Sequence, residues 1–259
     1  MDTQRDERSE ALQAQILQCL TTEHFTLQTG RAMTVADASG RSGLFLSTIS
    51  STLIALAFIG QISHLGTAFF LFALVLFPSL LFLGLVTFER VLQSAIEDIV
   101  CARGINRIRH FYVELAPQVE DYFILSIHDD EAGAHGDMQM QMSWWQLFLT
   151  TAGMIAVLDS LLAGAFAGLL IYQFLASPLL PCLSVAIVLF LVVLLAHQRY
   201  QWKCWRRADQ HLNVLFPGDA GDKSHGLLSG QVSTKTPTSR HSALEALRKE
   251  ALSDSYLVS

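Results

Sequence analysis

The sequence predicts an all-α polytopic membrane protein with four transmembrane helices in two hairpins and cytoplasmic helical extensions. Three observations predict it. Four apolar runs are long enough to cross a bilayer, only 15% of the 259 residues are charged against about 25% in an ordinary soluble domain, and every Lys and Arg lies on one side of those runs.

A spanning helix needs roughly 20 mostly apolar residues to cross about 30 Å of hydrocarbon. The runs from about Leu44 to Ile62, Thr67 to Phe88, Leu147 to Leu175 and Leu179 to Ala196 meet that requirement. The joins QISHLG and ASP are too short for anything but tight turns, so spans one and two form one hairpin and spans three and four another. Pro178 and Pro181 mark the second turn, because a proline removes a helical donor and clashes with the preceding turn. Four such helices in a soluble core would leave too little polar surface to cover them.

Orientation follows from the flanking cations. Residues 1–43 hold four Lys and Arg, residues 89–146 hold four and the tail after Ala196 holds nine, which accounts for all 17 and leaves both turns with none. This expectation places both termini and the central loop in the cytoplasm and the chain in the plasma membrane. Trp144 and Trp145 before span three, and Trp202 and Trp205 after span four, are expected at the inner headgroup layer, where amphipathic rings settle. The acidic start MDTQRDERSEAL has no basic-then-apolar signal pattern, so span one is expected to direct insertion. Cys19, Cys101, Cys182 and Cys204 form no disulfide or zinc spacing.

The chain divides into a cytoplasmic helical segment (1–43), a first hairpin (44–88), a cytoplasmic helical loop (89–146), a second hairpin (147–196) and a basic, mostly disordered tail (197–259). Leu12, Ile16, Cys19 and Leu20 recur at helical spacing ahead of span one, with Gly30, Gly40 and Gly43 as its weak points. Helical spacing also continues from Leu92 to Leu115 until Pro117, so span two is expected to project beyond the bilayer. HDDEAGAHGD (128–137) and MQMQM read as a flexible link. Residues 217–242 lack the apolar content to bury a core, and SALEALRKEAL (242–252) reads as a short amphipathic helix.

Asp159 is the single charged residue in the four runs, and a carboxylate at mid-bilayer costs about 2.5–3.5 kcal/mol on insertion scales. The hydroxyl-rich face of span one (Ser47, Thr48, Ser50, Ser51, Thr52), Thr150 and Thr151, or a water-filled space are the expected compensation, and Asp159, Ser160, Ser47 and Ser51 form the expected intramembrane polar site. Asp159 then either lines a path for ions or protons or holds helices together. Gly164 and Gly168 form a GxxxG step that permits close helix approach, and Pro78 is expected to bend span two. Arg103, Arg107 and Arg109 in the loop, and Arg199, Lys203, Arg206 and Arg207 after span four, are candidates for contact with an anion or lipid headgroup. The acidic and histidine residues of 128–137 match no zinc or calcium spacing, and no phosphate loop, nucleophile elbow or dinucleotide fingerprint occurs. No metal, cofactor, nucleic acid or enzymatic activity is expected.

The entry to span one, RAMTVADASGRSGLFL (31–46), resembles that of transmembrane effectors of bacterial cyclic-nucleotide (Pycsar-type) anti-phage systems. The run FERVLQSAIEDIVCARGINRIRHFYVELAP (88–117) resembles uncharacterised actinobacterial four-span membrane proteins. The first resemblance implies oligomerisation and membrane disruption driven by a cytosolic signal. This chain departs from the simplest effectors in its second hairpin and in having no evident nucleotide-binding module. Two function classes follow: a non-enzymatic, self-associating membrane protein with a cytosolic signal or partner, acting as a signal-gated channel or effector, or a small ion-coupled carrier using Asp159. A membrane enzyme ranks third, since no reactive side chains converge at one depth.

Overall fold

The computed structural model describes residues 2–137, 145–175 and 178–218. All regular structure among them is helical: α1 (Asp2–Ile62), α2 (Thr67–Leu115), a 3₁₀ turn (Pro117–Tyr122), α3 (Glu131–Asp137), α4 (Gln146–Leu149), α5 (Thr151–Leu175) and α6 (Leu179–His211). Four of these helices, α1, α2, α5 and α6, are long and apolar enough to cross a membrane. The protein is a multi-pass membrane protein built from two helical hairpins.

The helices pack in a row in chain order. α2 lies between α1 and α5, and α6 packs on the outer side of α5. The core runs through the α1–α2–α5 interfaces, where Phe45, Ile49, Phe77, Phe88, Ile155 and Leu162 interlock. Leu53, Phe58, Phe82, Leu161, Val188 and Val192 point outward along the spans, a surface suited to acyl chains and unsustainable in water on this scale.

α1 is one unbroken helix of 61 residues, about 90 Å at 1.5 Å per residue. Gly30, Gly40 and Gly43 do not interrupt it, because packing along α2 outweighs their propensity cost of about 1 kcal/mol each. The hairpin is riveted beyond the apolar region: Arg31 holds Asp98 through Nε at 2.8 Å and Nη2 at 3.2 Å, and Ser94 donates to Asp37. α2 continues through Pro78 and stops at Leu115, ahead of Pro117. The turn between α1 and α2 uses left-handed His64 and Leu65 (φ 48° and 57°), with Gly66 N–H donating to Ser63 O at 2.8 Å.

Three expectations change. The helix expected from Leu147 breaks at Thr150, which takes an extended conformation (ψ 155°) and accepts the Gly153 N–H at 3.0 Å, so it caps α5. The 128–137 stretch is ordered: Asp129 is fully buried and Glu131–Asp137 is helical. Trp205 is buried within the bundle rather than set in a headgroup layer. The MQMQM segment, Trp144, the second turn at 176–177 and the tail from residue 219, with its expected disorder and amphipathic helix, lie outside the described residues.

Candidate functional site: a buried polar centre and an extramembrane knot

Asp159 projects from α5 into the α2–α5–α6 interface and is 4% exposed. Its Oδ2 lies 3.5 Å from Nε2 of His197 on α6. His197 Nδ1 is 2.9 Å from Val193 O; a carbonyl only accepts, so Nδ1 carries a hydrogen. Phe88 of α2 meets the imidazole edge-on at 4.7 Å and 83°. The approach of α2 depends on Gly84, where a Cβ would fall 2.2 Å from Asp159 Oδ1, 2.9 Å from its Cγ and 3.0 Å from Phe45 Cζ.

The expected partners on span one are elsewhere. Ser47 and Ser51 face outward, and Ser47 Oγ donates to Gly43 O at 2.8 Å. Ser160 is fully buried but donates to Ala156 O at 2.6 Å within its own helix. α1 presents Phe45 to Asp159, not a hydroxyl. His197 supplies the compensation instead, one residue past the end of the fourth apolar run.

His197 begins a polar stripe on α6 that continues through Gln198, Gln201 and Trp205, all buried. Gln201 Nε2 donates to Thr150 Oγ1 at 3.0 Å, tying α6 to the cap of α5. Gln198 is fully buried, and neither amide atom has a hydrogen-bond partner among the described residues. The stripe's spacing was legible in the sequence, but its residues lie among basic side chains that read as an interfacial flank.

Gly164 and Gly168 close the α5–α6 interface within this chain. A Cβ at Gly164 would lie 2.6 Å from Ala186 O, and one at Gly168 would lie 3.1 Å from Ala186 Cβ. Helix backbones reach this proximity only where side chains are absent.

A second polar centre joins α2 to the last turn of α6 and to the chain that follows it. Arg103, 3% exposed at its side chain, pairs with Asp209, and Arg107 Nε donates to Asp129 Oδ2 at 2.6 Å while also reaching Asn213 O. Asp129 accepts the Leu215 N–H at 3.1 Å and the Phe216 N–H at 2.8 Å, and Asp130 accepts the N–H groups of Gly133 and Gly218. Arg109 donates to Asn106 Oδ1 at 2.7 Å, whose amide donates to His128 O at 3.0 Å. Phe216 stacks on His110 at 3.9 Å. Burial pushes the Asp129 carboxyl up, but the Phe216 and Leu215 N–H groups and the Arg107 guanidinium outweigh it and hold it below the usual carboxylate range.

The loop arginines expected at an anion or headgroup are thus engaged within the chain. Arg199, Lys203, Arg206 and Arg207 are exposed on α6, and Arg206 lies over the Trp202 ring at 4.9 Å. Among the described residues, no three His, Cys, Asp or Glu side chains group as metal ligands. Comparison with protein families, curated proteins and solved structures finds no match.

Proposed function

We propose that this chain is a non-enzymatic integral membrane protein that self-associates through its extramembrane helices, in the manner of a signal-gated channel or membrane effector. The termini and the 89–146 loop are assigned to the cytoplasmic side of the plasma membrane, in keeping with the one-sided distribution of Lys and Arg. The exposed stripe on the free end of α1 carries the reading. α2 ends at Leu115, level with Leu17–Thr21, and the Thr21 and Tyr112 hydroxyls are 3.4 Å apart. Residues 7–16 extend past that point, and residues 7–19 are exposed throughout. A lone helix of this length is marginal in water, while Leu12 (58% exposed), Ile16 and Cys19 follow the four-three spacing of a coiled-coil seam. A second copy of the arm would cover that seam.

Cys19 is a native reporter, being exposed on the arm. Mild oxidation of the full chain in nanodiscs is expected to yield a disulfide-linked dimer, which is lost in Cys19→Ser and sharply reduced in Leu12→Glu/Ile16→Glu. A strictly monomeric particle with no Cys19 cross-link overturns the reading. Ion flux from liposomes then separates a channel from a silent assembly.

The buried Asp159–His197 pair favours a second reading, an ion-coupled carrier. There, Asp159→Leu abolishes flux without altering assembly.

A further inference from the structure

The tautomer of His197 makes Asp159 and His197 a site with room for one proton. Since Nδ1–H is committed to Val193 O, a neutral imidazole would turn the Nε2 lone pair toward Asp159 Oδ2 at 3.5 Å. With Asp159 ionised, two acceptors would face each other inside an apolar bundle. Asp159 Oδ1 and His197 Nε2 have no hydrogen-bond partner among the described residues. One proton, on Oδ2 or on Nε2, turns the repulsion into a hydrogen-bonded pair.

Among the described residues, no other charged group faces the pair from the helices packed around it. α1 brings Phe45, α2 brings Gly84 and Phe88, and α5 brings Ser160, already bonded to Ala156 O. Titratable groups line a groove of about 660 Å³ between α2 and α6, where Glu89, Arg90 and Tyr200 share the wall with His197. This groove opens at the charged end of the spans. Toward the opposite face, Leu162 and Leu80 are buried and Phe77 stacks on Phe166 at 5.5 Å. That stack lies two helical turns beyond the Gly84–Asp159 contact.

We infer that Asp159 and His197 together form a one-proton binding site within the membrane, filled through the α2–α6 groove from the side bearing Glu89, Arg90 and Tyr200. A hydronium ion delivers the proton to the pair and leaves as water; no bond other than O–H or N–H forms or breaks. The inference rests on neither self-association nor transport, because binding at equilibrium requires neither.

Infrared difference spectroscopy on the full chain in proteoliposomes tests it. Wild type is expected to show a carboxylic-acid C=O band that titrates with pH and shifts in D₂O. Asp159→Asn removes the band, and His197→Gln, which retains a polar side chain, displaces its titration. Ala196→Trp, placed on the exposed wall of the groove, keeps the band but slows its deuterium shift several-fold. A wild-type spectrum in which neither a carboxyl band nor an imidazole ring band titrates, or a titration unchanged in His197→Gln, overturns the shared site. An unchanged deuterium rate in Ala196→Trp overturns the route. Cys19 cross-linking is expected to be the same in all these variants, so failure here is distinguishable from failure of the self-association reading.

Discussion

Replacing Gly84 by Ala measures how tightly α2 is set against the acidic centre. The new methyl would begin 2.2 Å from Asp159 Oδ1 and 2.9 Å from its Cγ, more than 0.5 Å inside ordinary van der Waals contact of about 3.5 Å. Asp159 has little freedom to retreat, being 4% exposed, and rotation away from His197 would separate the buried pair. Phe45, 3.0 Å away on the other side, blocks an outward shift. Helix propensity favours Ala by up to about 1 kcal/mol, whereas overpacking costs about 1–3 kcal/mol and a stranded buried carboxyl adds about 1–3 kcal/mol. The expected net loss is about 1–5 kcal/mol. Gly40→Ala is the control: nothing lies within 4 Å of its Cβ position, so a gain of about 0.5–1 kcal/mol is expected. Denaturant unfolding in mixed micelles, followed by circular dichroism, reads both. The pair Gly84→Ala/Asp159→Ala is expected to cost less than the sum of its parts, since truncating Asp159 removes the obstructing atoms. If Gly84→Ala is as stable as Gly40→Ala, or if the double variant is simply additive, the close-approach argument is wrong.

Two further outcomes probe the other polar groups. Asp129→Ala is expected to destabilise the extramembrane knot by roughly 3 kcal/mol, because it strips the acceptor from the Leu215 and Phe216 N–H groups and the partner from Arg107; hydrogen exchange at those two amides should quicken. In wild type the same protection should be full above the unfolded carboxyl range and lost as pH falls through the lower folded value, since the folded Asp129 carboxyl is held down; protection lost on raising pH instead would contradict that sign. Gln198→Leu removes two buried amide atoms that have no hydrogen-bond partner, so it is expected to stabilise the bundle by about 1–3 kcal/mol in detergent unfolding. A loss of stability would contradict the argument that the buried amide is unsatisfied.

The four spans were legible because length and apolarity alone decide what can cross a bilayer, and no tertiary knowledge enters that test. The α1–α2 hairpin was legible for the same reason, its turn being only a few residues long. The polar centre was half legible. Asp159 stands out as a lone charge, but its partner does not. His197 lies one residue beyond the apolar run, next to Arg199, where a histidine ordinarily meets headgroups. The packing that brings it under Asp159 depends on Gly164 and Gly168 drawing α6 close, which sets the register of the two helices. Thr150 was hidden because nothing around it breaks a helix; its role as a cap appears only when Gln201, 51 residues away, donates to it. The loop arginines were hidden for a similar reason. Arg103 meets Asp209 across 106 residues, and local charge patterning carries no trace of such a pairing.

α6 shows how these requirements are reconciled on one helix. Lipid contact demands aliphatic side chains over most of its surface, and Leu183, Val185, Ile187, Val188, Leu191, Val192 and Leu195 are exposed accordingly. Polar groups can then enter the bundle only along the narrow stripe facing α5 and α2, and there His197, Gln198 and Gln201 are found, near the end of the span where desolvation is least costly. Beyond the span the constraint inverts: water solvates the outer face, so Arg206 and Arg207 are exposed while Asp209 turns inward to Arg103. His197 and Asp209 are twelve residues apart, about 18 Å along the axis. Both face groups carried by α2 or stacked against it, namely Phe88 at one level and Arg103 at the other. α2 and α6 therefore meet at two depths through different chemistry, the Phe88–His197 ring contact at one and the Arg103–Asp209 ion pair at the other, while the groove lined by Leu85, Arg90 and Tyr200 lies open beside the first.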